Sequence, residues 1–84
     1  MIVSGRVQGV WFRDSCQQQA AASGVAGWVR NLHDGRVEVW MEGDESAVEG
    51  LTAWCRIGPS RAVVTAMEIE ERHPEGLSSF RIVD

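Results

Sequence analysis

The dipeptide Asp34-Gly35, set between two apolar runs, constrains the fold of this chain more than any other feature of the sequence. The three residues HDG, 33–35, join the two runs, and Asp-Gly within them is a strong signal for a β-hairpin turn. The flanking runs, AGWVRNL at 26–32 and RVEVWME at 36–42, have the composition of strands. Together these residues predict an antiparallel pair of strands in the middle of the chain.

Two segments with a helical spacing of apolar residues flank this hairpin. The first, residues 11–23, is followed by Gly24, which supplies a helix stop. The second, residues 45–56, follows Asp44, a residue type favoured at the helix N-cap. The apolar stripe expected to pack the first helix consists of Phe12, Cys16, Ala20 and Ser23.

Three further strands complete the predicted pattern. Residues 1–4 are an apolar start, residues 62–72 alternate along a half-buried strand, and residues 80–83 form a short terminal strand. The order βαββαβ, with the terminal strand added, predicts an α+β, ferredoxin-like split βαβ sandwich. In this fold two helices cover one face of an antiparallel sheet. We expect a single domain over residues 1–84 with a truncated first strand.

Composition and charge limit the classes of partner. With 84 residues and a net charge of −4, the chain lacks the clustered cations that nucleic acids or acidic membranes require. No long apolar run or signal-like start is present, so we expect a cytoplasmic protein. Cys16 and Cys55 are expected to be reduced core residues. The sequence indicates a monomer with no metal, no nucleic-acid partner and no membrane partner.

The stretch GRVQGVWFR, residues 5–13, joins the first strand to the first helix. Amides at a helix start lack helical partners and carry partial positive charge, so they favour an anion. Gly5 and Gly9 let the backbone curl closely around a ligand, and Arg13 can bind phosphate or carboxylate with two parallel hydrogen bonds. An ordinary tight turn with solvated arginines explains the same spacing equally well.

Several motifs together resemble the acylphosphatase family over essentially the whole chain. They are GRVQGVWFR, GWVRN, DGRVEV, GDESAVEGLTAWCRIGP and the closing FRIV. The resemblance implies hydrolysis of the carboxyl-phosphate anhydride of small acyl phosphates, with no metal or organic cofactor. It assigns phosphate binding to Arg13 and orientation of the attacking water to Asn31. It assigns further phosphate contacts to the amides of Val7, Gln8, Gly9, Val10, Trp11 and Phe12.

Competing functions are weaker. The same loop could serve a non-catalytic module that binds an anion or a phosphorylated metabolite, although such a module needs no water-holding asparagine. A fragment of a larger carbamoyl-transfer maturation protein would be expected to bring zinc-finger cysteines. A ferredoxin-like RNA-binding module would need paired aromatic residues on the sheet. His33 and His73 have no neighbouring catalytic partners in the sequence and are expected to be exposed.

Overall fold

Five strands and two helices make up the computed structural model, which describes residues 1–83. Every element begins within one residue of its predicted start. No helix in the described part is long and apolar enough to cross a bilayer. In chain order the elements are β1 (Ile2–Arg6), α1 (Phe12–Ser23), β2 (Ala26–Asn31), β3 (Val37–Glu42), α2 (Glu45–Ile57), β4 (Val63–Glu68) and β5 (Phe80–Ile82).

The strands form one mixed sheet in the order β4-β1-β3-β2-β5. β1 pairs antiparallel with β3 and β4, and the predicted β2-β3 hairpin is confirmed. β5, however, runs parallel to β2, so the expectation of a wholly antiparallel sheet is wrong at this edge. The reason is the connection: residues 69–79 carry the chain from one edge of the sheet to the other. β5 therefore enters the sheet in the direction of β2.

The core lies between the helices and one face of the sheet. Cys16 and Cys55 are both free and buried there, as expected. The neighbouring Cys16 thiol and burial both raise the pKa of the Cys55 thiol. The rings of Phe12 and Trp54 pack at 5.4 Å between centroids. The other buried side chains are Val3, Val7, Val10, Ala20, Val25, Val29, Val37, Val39, Leu51 and Phe80.

The opposite face of the sheet is half-buried and carries aromatic and charged side chains. The rings of Trp28 and Trp40 stack at 6.2 Å between centroids across β2 and β3. Arg30 lies 5.5 Å from the Trp28 ring and forms a salt bridge with Glu38 at 2.6 Å. This face contributes cross-strand stabilisation, whereas the helix-covered face holds the main core.

β4 departs from its predicted pattern in two ways. Ser4 pairs with Ala66 while Gly5 pairs with Val64, so β4 carries one extra residue, Thr65, as a bulge. The bulge breaks strict alternation, and Val64 and Met67 both pack against the core. The strand also ends at Glu68 instead of residue 72. Ile2, the first residue of β1, pairs with Glu68, so residues beyond it have no strand partner.

The Glu42 carboxylate fixes the connection between β4 and β5. It accepts hydrogen bonds from the amides of Glu75, Gly76 and Leu77 at 2.7 to 3.1 Å. The Trp40 indole N–H also donates to it at 2.6 Å. This Trp40 hydrogen bond and the backbone donors lower the pKa of the Glu42 carboxyl from its ordinary value. One side chain at the end of β3 therefore positions the segment that leads into β5.

Candidate active site

Residues 7–12, called the anion loop below, join the C-terminal end of β1 to the first turn of α1. Val7, Val10 and Phe12 bury their side chains in the core and so anchor the loop at three points. None of the amides of residues 8–11 donates to a backbone carbonyl within residues 1–83. These amides stand at the positive end of the helix dipole, so the loop has the donors and the charge to bind an anion.

The backbone of the anion loop turns through two residues with positive φ. Gly9 has φ 71° and Trp11, the N-cap of α1, has φ 66° and ψ 24°. A glycine adopts this conformation freely, but a residue with a Cβ atom pays roughly 1–2 kcal/mol. The Trp11 side chain is 72% exposed, so core packing does not offset this strain.

Arg13 stands in the first turn of α1, directly after the anion loop, and its side chain is half-buried. It forms no salt bridge within residues 1–83, although Arg30, Arg36 and Arg72 each do. An arginine without a protein carboxylate partner, beside free amides at a helix start, is available to a bound anion. Its position directly after the loop amides makes Arg13 a candidate for the predicted phosphate contact.

Asn31, the last residue of β2, lies at the same end of the sheet as the start of α1. It pairs with Val37, and Val37 pairs with Val3 of β1. Directly paired residues point to the same face, so Asn31 lies on the face that the helices cover. Its Oδ1 atom is buried and makes no hydrogen bond within the described residues. A buried carbonyl oxygen without a donor is costly for folding, and it suits a ligand that brings a donor.

Gln8 connects these two parts of the site. Its Nε2 atom donates to the carbonyl of Leu32 at 2.8 Å and to that of Arg36 at 2.9 Å. Both carbonyls belong to the β2-β3 turn, so the anion loop is tied to the residue that follows Asn31. The sequence predicted only a backbone role for Gln8. Its side-chain role has no local signal, since it depends on contacts 24 and 28 residues away.

We expect Gln8→Met, which keeps the length of the side chain but removes both donors, to lower stability and turnover. Loss of two hydrogen bonds should lower the free energy of unfolding by about 1–2 kcal/mol. Misplacement of the loop against Asn31 should lower kcat by about 10- to 100-fold. The measurements are thermal unfolding and acyl-phosphate hydrolysis.

Gln17→Met is the matched control for this substitution. Gln17 lies on α1 and also donates through Nε2, to the carbonyl of Phe80 at 3.2 Å. Its loss should lower stability slightly and leave kcat unchanged. Equal kcat values in the two variants would show that Gln8 does not position the site.

A cleft in the molecule lies away from this site. This cleft, of about 630 Å³, separates α2 from the residues 69–74 and includes Met1 and Met41 in its lining. It opens at the end of β1 opposite to the anion loop, since Met1, which precedes β1, lines it and Arg6, the last residue of β1, does not. In residues 1–83 no group of three His, Cys, Asp or Glu side chains is placed to hold a metal ion.

Fold and site together define a small α+β domain whose candidate anion-binding loop lies at the end of the sheet where the Oδ1 atom of Asn31 is buried. Residues 1–82 match the acylphosphatase family model, and the chain belongs to the acylphosphatase family. An acylphosphatase of Gloeobacter violaceus is 51% identical over 81 residues, which cover 96% of this chain and 87% of that protein.

Solved structures show the same relationship. The crystal structure of acylphosphatase from Bacillus subtilis matches with a TM-score of 0.93 and 43% identity, over 99% of this chain and 93% of that chain. A crystal structure of full-length HypF in a phosphate- and nucleotide-bound form matches with a TM-score of 0.85 and 26% identity. The match covers 99% of this chain and 11% of that one. The ferredoxin-like fold predicted from the sequence is therefore confirmed.

Proposed function

We propose that this protein hydrolyses the carboxyl-phosphate anhydride of acyl phosphates to a carboxylate and inorganic phosphate, and that the anion loop, Arg13 and Asn31 form its active site. Membership of the acylphosphatase family supports the reaction. The observation that carries the site is the buried, unpartnered Oδ1 atom of Asn31 at the end of the sheet where the loop amides are free.

The phosphoryl group binds to the free amides of the anion loop and to the Arg13 guanidinium. Phosphoryl transfer spreads negative charge over the equatorial oxygens, and donors fixed before the reaction stabilise that charge without reorganising. Val7, Val10 and Phe12 hold the amides in place from within the core. Since this chain supplies both the dipoles and the fixed charge, we propose that hydrolysis proceeds in the presence of a chelator.

Asn31 accepts a hydrogen bond from the attacking water through Oδ1. An asparagine has no titratable group in the accessible range, so it orients the water but does not take its proton. We propose that an oxygen of the substrate phosphate receives this proton. The carboxylate is a stable leaving group, so it needs no acid from the protein.

A module that only binds anions is not favoured. Binding of a phosphate would use the amides and Arg13, all of which are donors, and would leave the Asn31 Oδ1 atom buried without a partner. A fully deprotonated phosphate group or a carboxylate brings no donor for this carbonyl oxygen, whereas water does.

Substitution of Asn31 with alanine tests this assignment. We expect kcat for acetyl phosphate, assayed with EDTA, to fall on the order of 10²- to 10³-fold, as for loss of one preorganised polar group. Thermal stability should not fall, because the Oδ1 atom that is removed has no hydrogen-bond partner in the folded protein.

Arg30→Gln provides a control from the adjacent position of β2. Arg30 binds Glu38 on the half-buried face of the sheet, away from the helices, so its replacement should leave kcat unchanged. Wild-type turnover in Asn31→Ala would remove Asn31 from the mechanism. Loss of all activity when the chelator is added to the wild type would contradict the metal-independent mechanism.

A further inference from the structure

Trp11 is the one residue of the anion loop whose conformation and exposure are both unfavourable for folding. Its φ of 66° is the only positive value at a non-glycine residue within residues 1–83. Its side chain is 72% exposed, against 1% for Phe12 and 3% for Val10 on either side. Gly9, two residues earlier, adopts nearly the same φ without a side chain. The indole ring at this position therefore does not serve core packing, and we expect its role at the surface of the loop.

The geometry of phosphoryl transfer indicates what that use is. The attacking and leaving oxygens lie roughly in line, on opposite sides of the phosphorus atom. In the proposed site the water lies on the inner side, against the buried Oδ1 atom of Asn31. The acyl group must then lie on the outer side of the loop, towards solvent, and Trp11 is the loop residue with a large apolar side chain exposed to solvent.

We propose that Trp11 is a specificity-determining residue that packs against the acyl group of the substrate and favours aromatic acyl phosphates over acetyl phosphate. An indole ring gains from contact with a second flat ring and gains little from a methyl group. This inference rests on the proposed active site, because it uses the positions of the phosphate and the water. The phosphate itself is held by backbone amides and Arg13, so Trp11 alters selectivity without supplying the chemistry.

The test compares kcat/KM for benzoyl phosphate and acetyl phosphate in the wild type and in Trp11→Gly, Trp11→Asn and Trp11→Phe. Glycine and asparagine tolerate positive φ, so both variants keep the loop conformation without an aromatic ring. We expect both to lower the benzoyl-to-acetyl ratio about 3- to 10-fold, mainly through KM for benzoyl phosphate. Trp11→Phe should keep most of the ratio. Inhibition by inorganic phosphate should be unchanged in all of them.

Ile69→Ala is the matched control, since Ile69 is an exposed apolar residue, 51% accessible, in the lining of the cleft at the other end of β1. It should leave the ratio unchanged. An equal fall for both substrates in Trp11→Gly and Trp11→Asn would overturn the proposal, because it would mean that Trp11 only shapes the loop. An unchanged ratio would also overturn it. Failure of the proposed function gives a different result: the wild type would then hydrolyse neither substrate.

Discussion

Replacement of Arg13 with alanine should lower kcat/KM for acetyl phosphate about 10³-fold or more. An arginine that stabilises the transition-state charge in phosphoryl transfer contributes a rate factor of about this size. The guanidinium follows the anion loop directly, in the first turn of α1, and forms no salt bridge within residues 1–83. Because a guanidinium can make two parallel hydrogen bonds to phosphate oxygens and an ammonium group cannot, lysine should restore only part of the activity.

Three measurements separate this role from a structural one. Thermal unfolding of Arg13→Ala should match the wild type, since no ion pair is lost. The inhibition constant of inorganic phosphate should rise, because phosphate meets the same guanidinium. Arg72→Ala is the charge-matched control: Arg72 lies in the exposed segment after β4, pairs with Glu70, and should leave kcat/KM unchanged. Activity of Arg13→Ala equal to that of this control would exclude Arg13 from phosphate binding.

Substitution of Gly27 with alanine should have the largest effect on stability. A Cβ atom at this position would lie 1.8 Å from the backbone oxygen of Trp40 and 2.7 Å from its carbonyl carbon. Gly27 also has a φ of 146°, which side chains rarely adopt. The clash involves backbone on both strands, so only separation of β2 from β3 relieves it. We expect a loss of about 3 kcal/mol or more, out of a total of about 4 to 13 kcal/mol for a chain of this length.

Gly50 offers the opposite result in the same chain. It lies within α2, and a Cβ atom there would meet nothing within 4 Å. Gly50→Ala should therefore raise the free energy of unfolding by about 0.8–1 kcal/mol through helix propensity alone. Chemical denaturation should show a lower free energy of unfolding for Gly27→Ala and a higher one for Gly50→Ala. A Gly27→Ala protein as stable as the wild type would show that the strands separate at little cost.

The elements of this fold were predictable because their signals are local. The hairpin turn and the end of α1 each depend on one glycine with positive φ, Gly35 at 94° and Gly24 at 75°. Both lie where the sequence predicts them. Pairing between distant strands has no such signal. The parallel register of β2 and β5 depends on a crossing segment that the Glu42 carboxylate holds, 33 to 35 residues away in sequence.

The candidate site shows the same division. The loop amides and Arg13 follow from a strand that ends where a helix begins, so the residues alone predict a candidate anion site, with an ordinary tight turn as the alternative. Asn31 was assigned only through the family resemblance, because nothing near it in sequence marks an asparagine at the end of a strand. Its buried Oδ1 atom and the Gln8 contacts become visible only when the hairpin lies beside the loop.

The parallel strand β5 has a consequence for the behaviour of the protein in concentrated solution. β2 ends in Asn31, and without β5 its outer N–H and C=O groups would form an open edge next to the site. Open edges recruit strands from other molecules and lead to aggregation. The three residues of β5 occupy that edge. The amide of Val83 donates to the Val29 carbonyl, and the Gln17 side chain of α1 donates to the Phe80 carbonyl. The short strand thus protects β2 from intermolecular pairing.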